Sequence, residues 1–369
     1  MHGSRIDLTQ LRPERVCLIK PSSLGDIVHA LPVLSALRRQ WPDARMAWVV
    51  NTGLRSLLDG HPDLDEVIPF DRAGFRLSPG GLAKFGRFLA DLRRRRFDVT
   101  IDLQGLLRSG IMTAATGAKV RIGQPFAREG ADQFYNHRLP PVSAEMHAVD
   151  RLLKVAEAFG ADVSRPRFAL ATSIDDRRWA RDVLSETASP RLVLNMGARW
   201  PTKRWPPSSF AALARRAVEE RGASLIAVGA PEDRPLVEQL RTDLGSIPVL
   251  DLCGKTTLPQ LAALSAEADV FLSNDTGPLH LAAAAGARTV GVYTCTSPRA
   301  TGPYGPRSVA VETCVACAAS YLTRCQRLDC MTELSPERVW PALLGQLDRA
   351  SEFPNEEHES RILPLINTD

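Results

Sequence analysis

Seven consecutive residues, Asn274-Asp275-Thr276-Gly277-Pro278-Leu279-His280, carry the densest chemistry in the sequence. The apolar run Asp269–Ser273 reads as a strand ending just before them, and Pro278 suits the first position of a following helix, where its missing N–H is not needed. Ala282–Ala285 are small helix formers, and Gly286 is a stop signal. The N–H groups of Thr276 and Gly277 at such a helix start can cradle a diphosphate without a metal ion. Asp275 stands in the turn, and His280 points back along the first helical turn. The alternative on spacing alone is an ordinary cap followed by a satisfied histidine.

Two loops stand beside this segment in the same half of the chain. Lys203 lies in Gly197–Trp205 (GARWPTKRW) and is one of only six lysines among 46 basic residues. A compact ammonium there can pair with a phosphate, or simply lie over a tryptophan face. Glu232 follows Gly229-Ala230-Pro231 and can reach a ribose hydroxyl or just favour a helix N-terminus.

A second constellation lies near the N-terminus, in Pro21-Ser22-Ser23-Leu24-Gly25-Asp26. Ser22 and Ser23 offer hydroxyls and N–H groups at a helix start, and Gly25 permits close approach by a ligand. Asp26 then stands at the mouth of a cleft, with His29 one turn further on. Spacing alone favours Asp26 as a helix cap over Asp26 as a base. The loop is neither G-x-G-x-x-G nor a Walker P-loop, so a nicotinamide dinucleotide site is not indicated.

The third cluster is Cys314, Cys317, Cys325 and Cys330, spaced C-x2-C-x7-C-x4-C. Four thiolates can complete a zinc tetrahedron, though the interval of seven is shorter than in common ribbons. Reduced thiols packed as a loop are the alternative.

The elements that must position these groups alternate. Strands are predicted at 15–20, 46–50, 66–70 and 99–103, with helices at 27–40 and 82–95. Further strands are predicted at 191–195, 224–228, 269–273 and 289–293, with helices at 208–221, 232–244, 258–266 and 278–285. Pro32 is expected to kink the first helix or to close an irregular first turn. Alternation of this kind implies parallel sheets covered on both faces, hence an α/β chain. With 369 residues it divides into two Rossmann-like domains. The expected ranges are 1–165 for the first domain, 166–349 for the second and 350–369 for a polar acidic tail.

Charge is uneven. Residues 1–170 carry 25 Lys+Arg against 18 Asp+Glu, whereas the remainder carries 21 against 24. The N-terminal half is therefore expected to face an anionic partner. Residues 1–10 lack a signal-peptide core and no long apolar run exists, so the expected location is the cytoplasm.

Taken together, these motifs resemble glycosyltransferase family 9, the ADP-heptose:lipopolysaccharide heptosyltransferases. The resemblance rests on IKPSSLGDIVHALPVLSALR, on Lys203 before Arg204-Trp205, on NDTGPLHLAAAAG, on TGPYG at 301–305, and on CVAC with the later Cys330-Met331 and SPERV. It implies a GT-B fold of two facing Rossmann-like domains with parallel sheets. It also implies an inverting, metal-independent transfer of a heptose or related sugar from an ADP-sugar donor. The acceptor implied is the inner core of lipopolysaccharide or a related anionic, lipid-linked glycan, with peripheral contact at the inner membrane. By resemblance Asp26 is the base, Lys203 and the Thr276–Gly277 backbone hold the donor diphosphate, and Asp275 contacts the sugar. His280 neighbours that site, and Glu232 holds the ribose. No cofactor is expected for catalysis, a structural zinc on the four cysteines aside.

Two rival readings share some of these features. A nucleotide-sugar epimerase shares the double-Rossmann layout but needs paired acid and base carboxylates. A zinc-ribbon nucleic-acid-binding protein is disfavoured because the cysteine cluster is poor in lysine and interleaved aromatics, so no nucleic-acid partner is expected.

Overall fold

The computed structural model describes residues 6–71 and 79–352. It divides into two compact units, Met1–Ala171 and Thr172–Asp369. Each holds one parallel sheet.

The first unit runs β1 (Arg15–Ile19), α1 (Leu24–Gln40), β2 (Arg45–Asn51), β3 (Glu66–Phe70), α2 (Pro79–Arg94), β4 (Val99–Asp102), α3 (Leu107–Thr116), β5 (Val120–Gly123) and α4 (Ala148–Ala158). Its five strands lie in the order β3-β2-β1-β4-β5, all parallel. β1 is central, and Val16 to Ile19 are fully buried, as both faces of a parallel sheet demand. Cys17, Ile19, Ala47, Val49, Ile68, Phe70 and Met112 form the apolar cluster on one face. Pro32 lies inside α1 rather than at its end. It removes one backbone bond, but Ile27 to Leu37 are buried around it, and this packing carries the helix on to Gln40.

The second unit runs α5 (Ile174–Leu184), β6 (Arg191–Asn195), α6 (Pro207–Arg221), β7 (Ser224–Val228), α7 (Arg234–Leu244), β8 (Val249–Asp251), α8 (Leu258–Glu267), β9 (Val270–Asn274) and α9 (Gly277–Ala284). It continues with β10 (Arg288–Tyr293), α10 (Pro298–Thr301), β11 (Ser308–Glu312), α11 (Asp329–Glu333) and α12 (Pro336–Glu352). Six parallel strands lie in the order β11-β10-β9-β6-β7-β8. Trp205, Phe210, Leu213, Leu272, Val290, Trp340 and Leu343 belong to its core.

The units part after Ala171, not after residue 165 as the sequence suggested. The intervening stretch is tied to the first unit, because His61 Nε2 donates to the Ala169 carbonyl at 3.0 Å. Residues 350–352 are the end of α12, and the rest of the expected acidic tail lies outside the described residues.

Candidate active site

In parallel α/β sheets, ligands gather where strands end and helices begin. In the second unit, β9, β6 and β7 are neighbours, so the loops that follow them share one sheet edge. Those loops carry Asp275 to Gly277, Lys203 and Glu232, the residues singled out from sequence.

Asp275 is the hub. It is 5% exposed, and its Oδ2 accepts from Lys203 Nζ at 2.5 Å and from Thr296 Oγ1 at 2.6 Å. His280 Nε2 lies 3.4 Å from Oδ1. Burial pushes this carboxyl up, but His280 and the Lys203 ammonium outweigh it and hold it well below the usual carboxylate range. Lys203 Nζ also sits 4.8 Å from the Trp200 ring centroid, so both alternatives for this lysine, ion pairing and ring stacking, are realised together.

α9 starts where the sequence placed it, within one residue. Thr276 is its N-cap in extended conformation and makes no side-chain cap. Asp275 N bonds Val292 O and Leu279 N bonds Thr276 O. The N–H groups of Thr276 and Gly277 meet no acceptor among the described residues, which leaves two donors for an anion. Glu232 is exposed in a short 3-10 turn, Pro231–Asp233. A Cβ at Gly197 would run into the Asp233 carboxylate, so a larger residue there requires that side chain to move.

In the first unit, the loop after β1 opens α1. Asp26 is exposed, and its Oδ2 accepts from Ser23 N at 2.9 Å and Ser23 Oγ at 2.7 Å. Capping is thus real, yet it uses one oxygen, and Oδ1 has no hydrogen-bond partner among the described residues. The protein packed around Asp26 pushes its carboxyl up. The buried Lys20 ammonium and the two Ser23 bonds outweigh that, so the group stays below its ordinary range. Gly25 is buried, and Ser22 N donates to Gln104 Oε1 at 3.4 Å. His29 does not reach the loop surface. It is 4% exposed and stands edge-on to His147, ring centroids 5.5 Å apart.

Beside this loop a cavity of about 250 Å³ opens at the ends of four strands. Ser22, Asn51, Phe70 and Gln104 line it from those strands, with Arg108 and Glu129 at the rim. Glu129 accepts from Leu107 N at 3.2 Å, whereas Arg108 is exposed and pairs with no carboxylate among the described residues.

The four cysteines are not arranged as a tetrahedron. Among the described residues no group of three or more His, Cys, Asp or Glu could hold a metal ion. Cys314 turns instead to Glu333, donating to Oε1 at 3.1 Å, and accepts from Arg338 at 3.3 Å. Cys330 is buried, and burial, reinforced by Cys317, Cys295 and Cys325 nearby, pushes its thiol up.

Comparison with known proteins decides the family. The model of glycosyltransferase family 9 (heptosyltransferase) matches residues 85–330. Lipopolysaccharide heptosyltransferase 1 of Pseudomonas aeruginosa is 30% identical over 356 residues, covering 90% of this chain and 98% of its own. The chain belongs to glycosyltransferase family 9. Lipopolysaccharide core heptosyltransferase OpsX of Haemophilus influenzae is also 30% identical, over 79% of this chain and 82% of its own. The structure of E. coli heptosyltransferase WaaC with ADP-2-deoxy-2-fluoro heptose superposes with a TM-score of 0.71. It covers 90% of this chain and 99% of its own at 24% identity, and so bears on the fold alone. The two Rossmann-like parallel units are those expected of a GT-B glycosyltransferase.

Sequence reasoning missed what holds the Lys203 turn of this family 9 glycosyltransferase in place. Thr202 is 2% exposed; its Oγ1 donates to Leu322 O at 2.7 Å and its carbonyl accepts from Thr294 Oγ1 at 2.6 Å. Leu322 belongs to the cysteine segment, which is stitched to the loop after β10 by Tyr321 N donating to Cys295 O at 2.8 Å. Trp205 locks the other end, donating Nε1 to Leu334 O at 2.7 Å and N to Asn274 Oδ1 at 3.1 Å. The polar Ser273-Asn274 pair that ends the otherwise apolar β9 is the one signal of this in the sequence. Thr202→Val should lose the bond to Leu322 O, worth about 1 kcal/mol, together with the weaker one from Cys295 Sγ, and raise the donor KM several-fold with little change in kcat. Thr202→Ser should restore it. Steady-state kinetics with varied donor checks this, and an unchanged KM in Thr202→Val would show that the turn does not depend on the tie.

Proposed function

We propose that this glycosyltransferase moves a heptose from an ADP-heptose donor to an anionic, lipid-linked inner-core acceptor of lipopolysaccharide, with inversion and without a metal ion. The observation that carries the donor assignment is the pairing of a compact ammonium, Lys203, with two unaccepted N–H groups at Thr276 and Gly277 on one sheet edge. That set complements a diphosphate in charge and in donor number. The ADP-sugar complex of the E. coli relative and the names of the two curated relatives support the choice of nucleotide and sugar.

In this reading an acceptor hydroxyl attacks the anomeric carbon from the face opposite the diphosphate. Asp26 Oδ1 takes the proton as the bond forms. The bond to the diphosphate breaks, and the charge that grows there is stabilised by Lys203 and by the start of α9. Glu232 contacts the ribose, and Asp275 meets the sugar while keeping Lys203 and His280 in place. The exposed Arg108 at the rim of the 250 Å³ cavity suits an acceptor carboxylate or phosphate. The first unit, with its surplus of 25 basic over 18 acidic residues up to position 170, takes that acceptor. No described helix is long and apolar enough to cross a membrane, so contact with the inner membrane is peripheral and from the cytoplasmic side in this reading.

The test is product mass spectrometry with ADP-heptose and UDP-hexoses, each against a Kdo-bearing lipid core and each without acceptor. Transfer of heptose from ADP-heptose is expected, and activity should survive EDTA. Conversion of donor without acceptor would point to an epimerase, and loss to EDTA with rescue by Mg²⁺ would overturn the metal-free step. On the same reading the cysteine segment is structural, and metal analysis of the active, chelator-treated protein decides whether a zinc accompanies it.

A further inference from the structure

α2 is a helix with two unlike faces. Its inner face sends Phe85 and Phe88 onto Phe70, with ring centroids 6.4 and 5.3 Å apart, and buries Leu92. Its outer face carries Ala83, Gly86 and Ala90, small residues that leave the helix surface low, with Lys84, Arg87 and Arg94 rising beside them. Leu82 stands on the flank, 60% exposed. Arg93 and Arg96 add exposed cations at the C-terminal end.

The charges on this face are largely unopposed. Lys84, Arg87 and Arg96 pair with no carboxylate among the described residues. Asp91 is the single acid within α2. It accepts from Arg95 Nε at 2.9 Å and lies 3.6 Å from Arg94, whose side chain remains 74% exposed. Arg95 is held back by Glu66. These cations have little to do for the fold, because the inner face supplies the packing.

We propose that the outer face of α2 docks the protein onto an anionic lipid bilayer. The apolar face of α2 is spent on the fold, so what it offers a membrane is its exposed cluster of cations, and each Lys or Arg near an anionic surface contributes about 1 kcal/mol. The low line of alanine and glycine lets the cations approach a flat, negatively charged plane together, and Leu82 can enter the headgroup layer. Binding is therefore electrostatic, within a Debye length of about 8 Å at physiological salt. The proposal rests on the reading that the acceptor is lipid-linked. It names the surface that brings the enzyme to it.

The test is flotation of the full chain with vesicles of phosphatidylcholine alone or with 30% phosphatidylglycerol (about the anionic fraction needed for a strong surface potential). The wild type should bind the anionic vesicles and release them as salt rises. Each basic residue near such a surface contributes about fivefold, so Lys84→Gln/Arg87→Gln/Arg94→Gln should bind about a hundredfold more weakly. The triple variant should retain wild-type kcat on a detergent-free, water-soluble acceptor, which shows that it is folded. Equal binding to neutral vesicles, an unchanged triple variant, or tighter capture by a DNA duplex than by anionic vesicles would overturn the proposal. The vesicles contain no acceptor, so failure here leaves the transfer assay untouched, and failure of transfer leaves vesicle binding to be judged alone.

Discussion

Asp26→Asn should lower kcat by about 10²–10⁴ while leaving donor affinity nearly unchanged. The substitution is chosen for its geometry. An asparagine oxygen can still accept from Ser23 N, so the start of α1 keeps its cap, but no oxygen remains that can take a proton. Asp26→Ala should lose the same activity and, in addition, about 1 kcal/mol of stability from the lost cap. The two variants thus separate capping from catalysis. The size of the loss has a physical bound. Lys20 and Ser23 hold Asp26 below its ordinary range, so it is ionised at neutral pH but weakly basic, and the loss should fall towards the lower end. The sign in pH follows. The base form exists above the lowered pKa, so kcat should not fall on acidification from about pH 8 to about pH 5 on account of Asp26. Near-normal turnover in Asp26→Asn would return this residue to a capping role alone.

Lys203→Ala should weaken ADP binding ten- to a hundredfold and lower kcat/KM by about 10³, because a charged hydrogen bond is worth about 1.5–3 kcal/mol and transition-state charge adds to it. Calorimetry with ADP reads the first effect and initial rates the second. The variant also leaves Asp275 short of its nearest cation. Asp275 is held low in the folded state, so its contribution to stability is present above its unfolded value and is lost as pH falls through the folded one. With Lys203 gone the folded value rises, and the variant should lose stability earlier on acidification. Lys203→Arg keeps the charge but spreads it over a planar fork, so partial recovery of ADP binding is expected. Unchanged ADP affinity in Lys203→Ala would remove this residue from the donor site.

The central strands were legible because parallel-sheet interiors are continuous apolar runs. RLVLN at 191–195 and SLIAV at 224–228 fold as predicted, residue for residue. The strands β5, β8 and β11 were not predicted. β8 and β11 are only half-buried edges, where the apolar signal is weak. The sequence reading also lacks helices α3, α4, α5, α10, α11 and α12. α5 begins with Ile174 exposed and packs through few apolar positions, so its periodicity is faint. Around the ends of β6, β7 and β9, residues with unusual local chemistry stand out in the sequence, and those that act through tertiary contact do not. Thr202, Thr296 and Asn274 look like ordinary polar residues until the chain brings their partners to them. His29 illustrates the converse, since a helical position facing α4 was read as one facing the loop. The cysteine spacing suggests a metal knuckle, and the bonds of Cys314 to Glu333 and Arg338 could not be read from it.

The 2.5 Å pair between Lys203 and Asp275 has a bearing on turnover. The ammonium already has an internal counter-ion, so on the proposed reading of the site a diphosphate does not meet a bare charge but competes with Asp275 for Lys203. Affinity is then a difference between two pairings, smaller than either. After transfer, the free ADP carries more negative charge than the donor did and would cling to an unopposed lysine. Asp275 stands ready to take the ammonium back, assisted by Thr296, which holds the carboxylate at 2.6 Å. On the proposed reading of the site, the carboxylate that competes with the diphosphate for Lys203 would also speed departure of the nucleotide product.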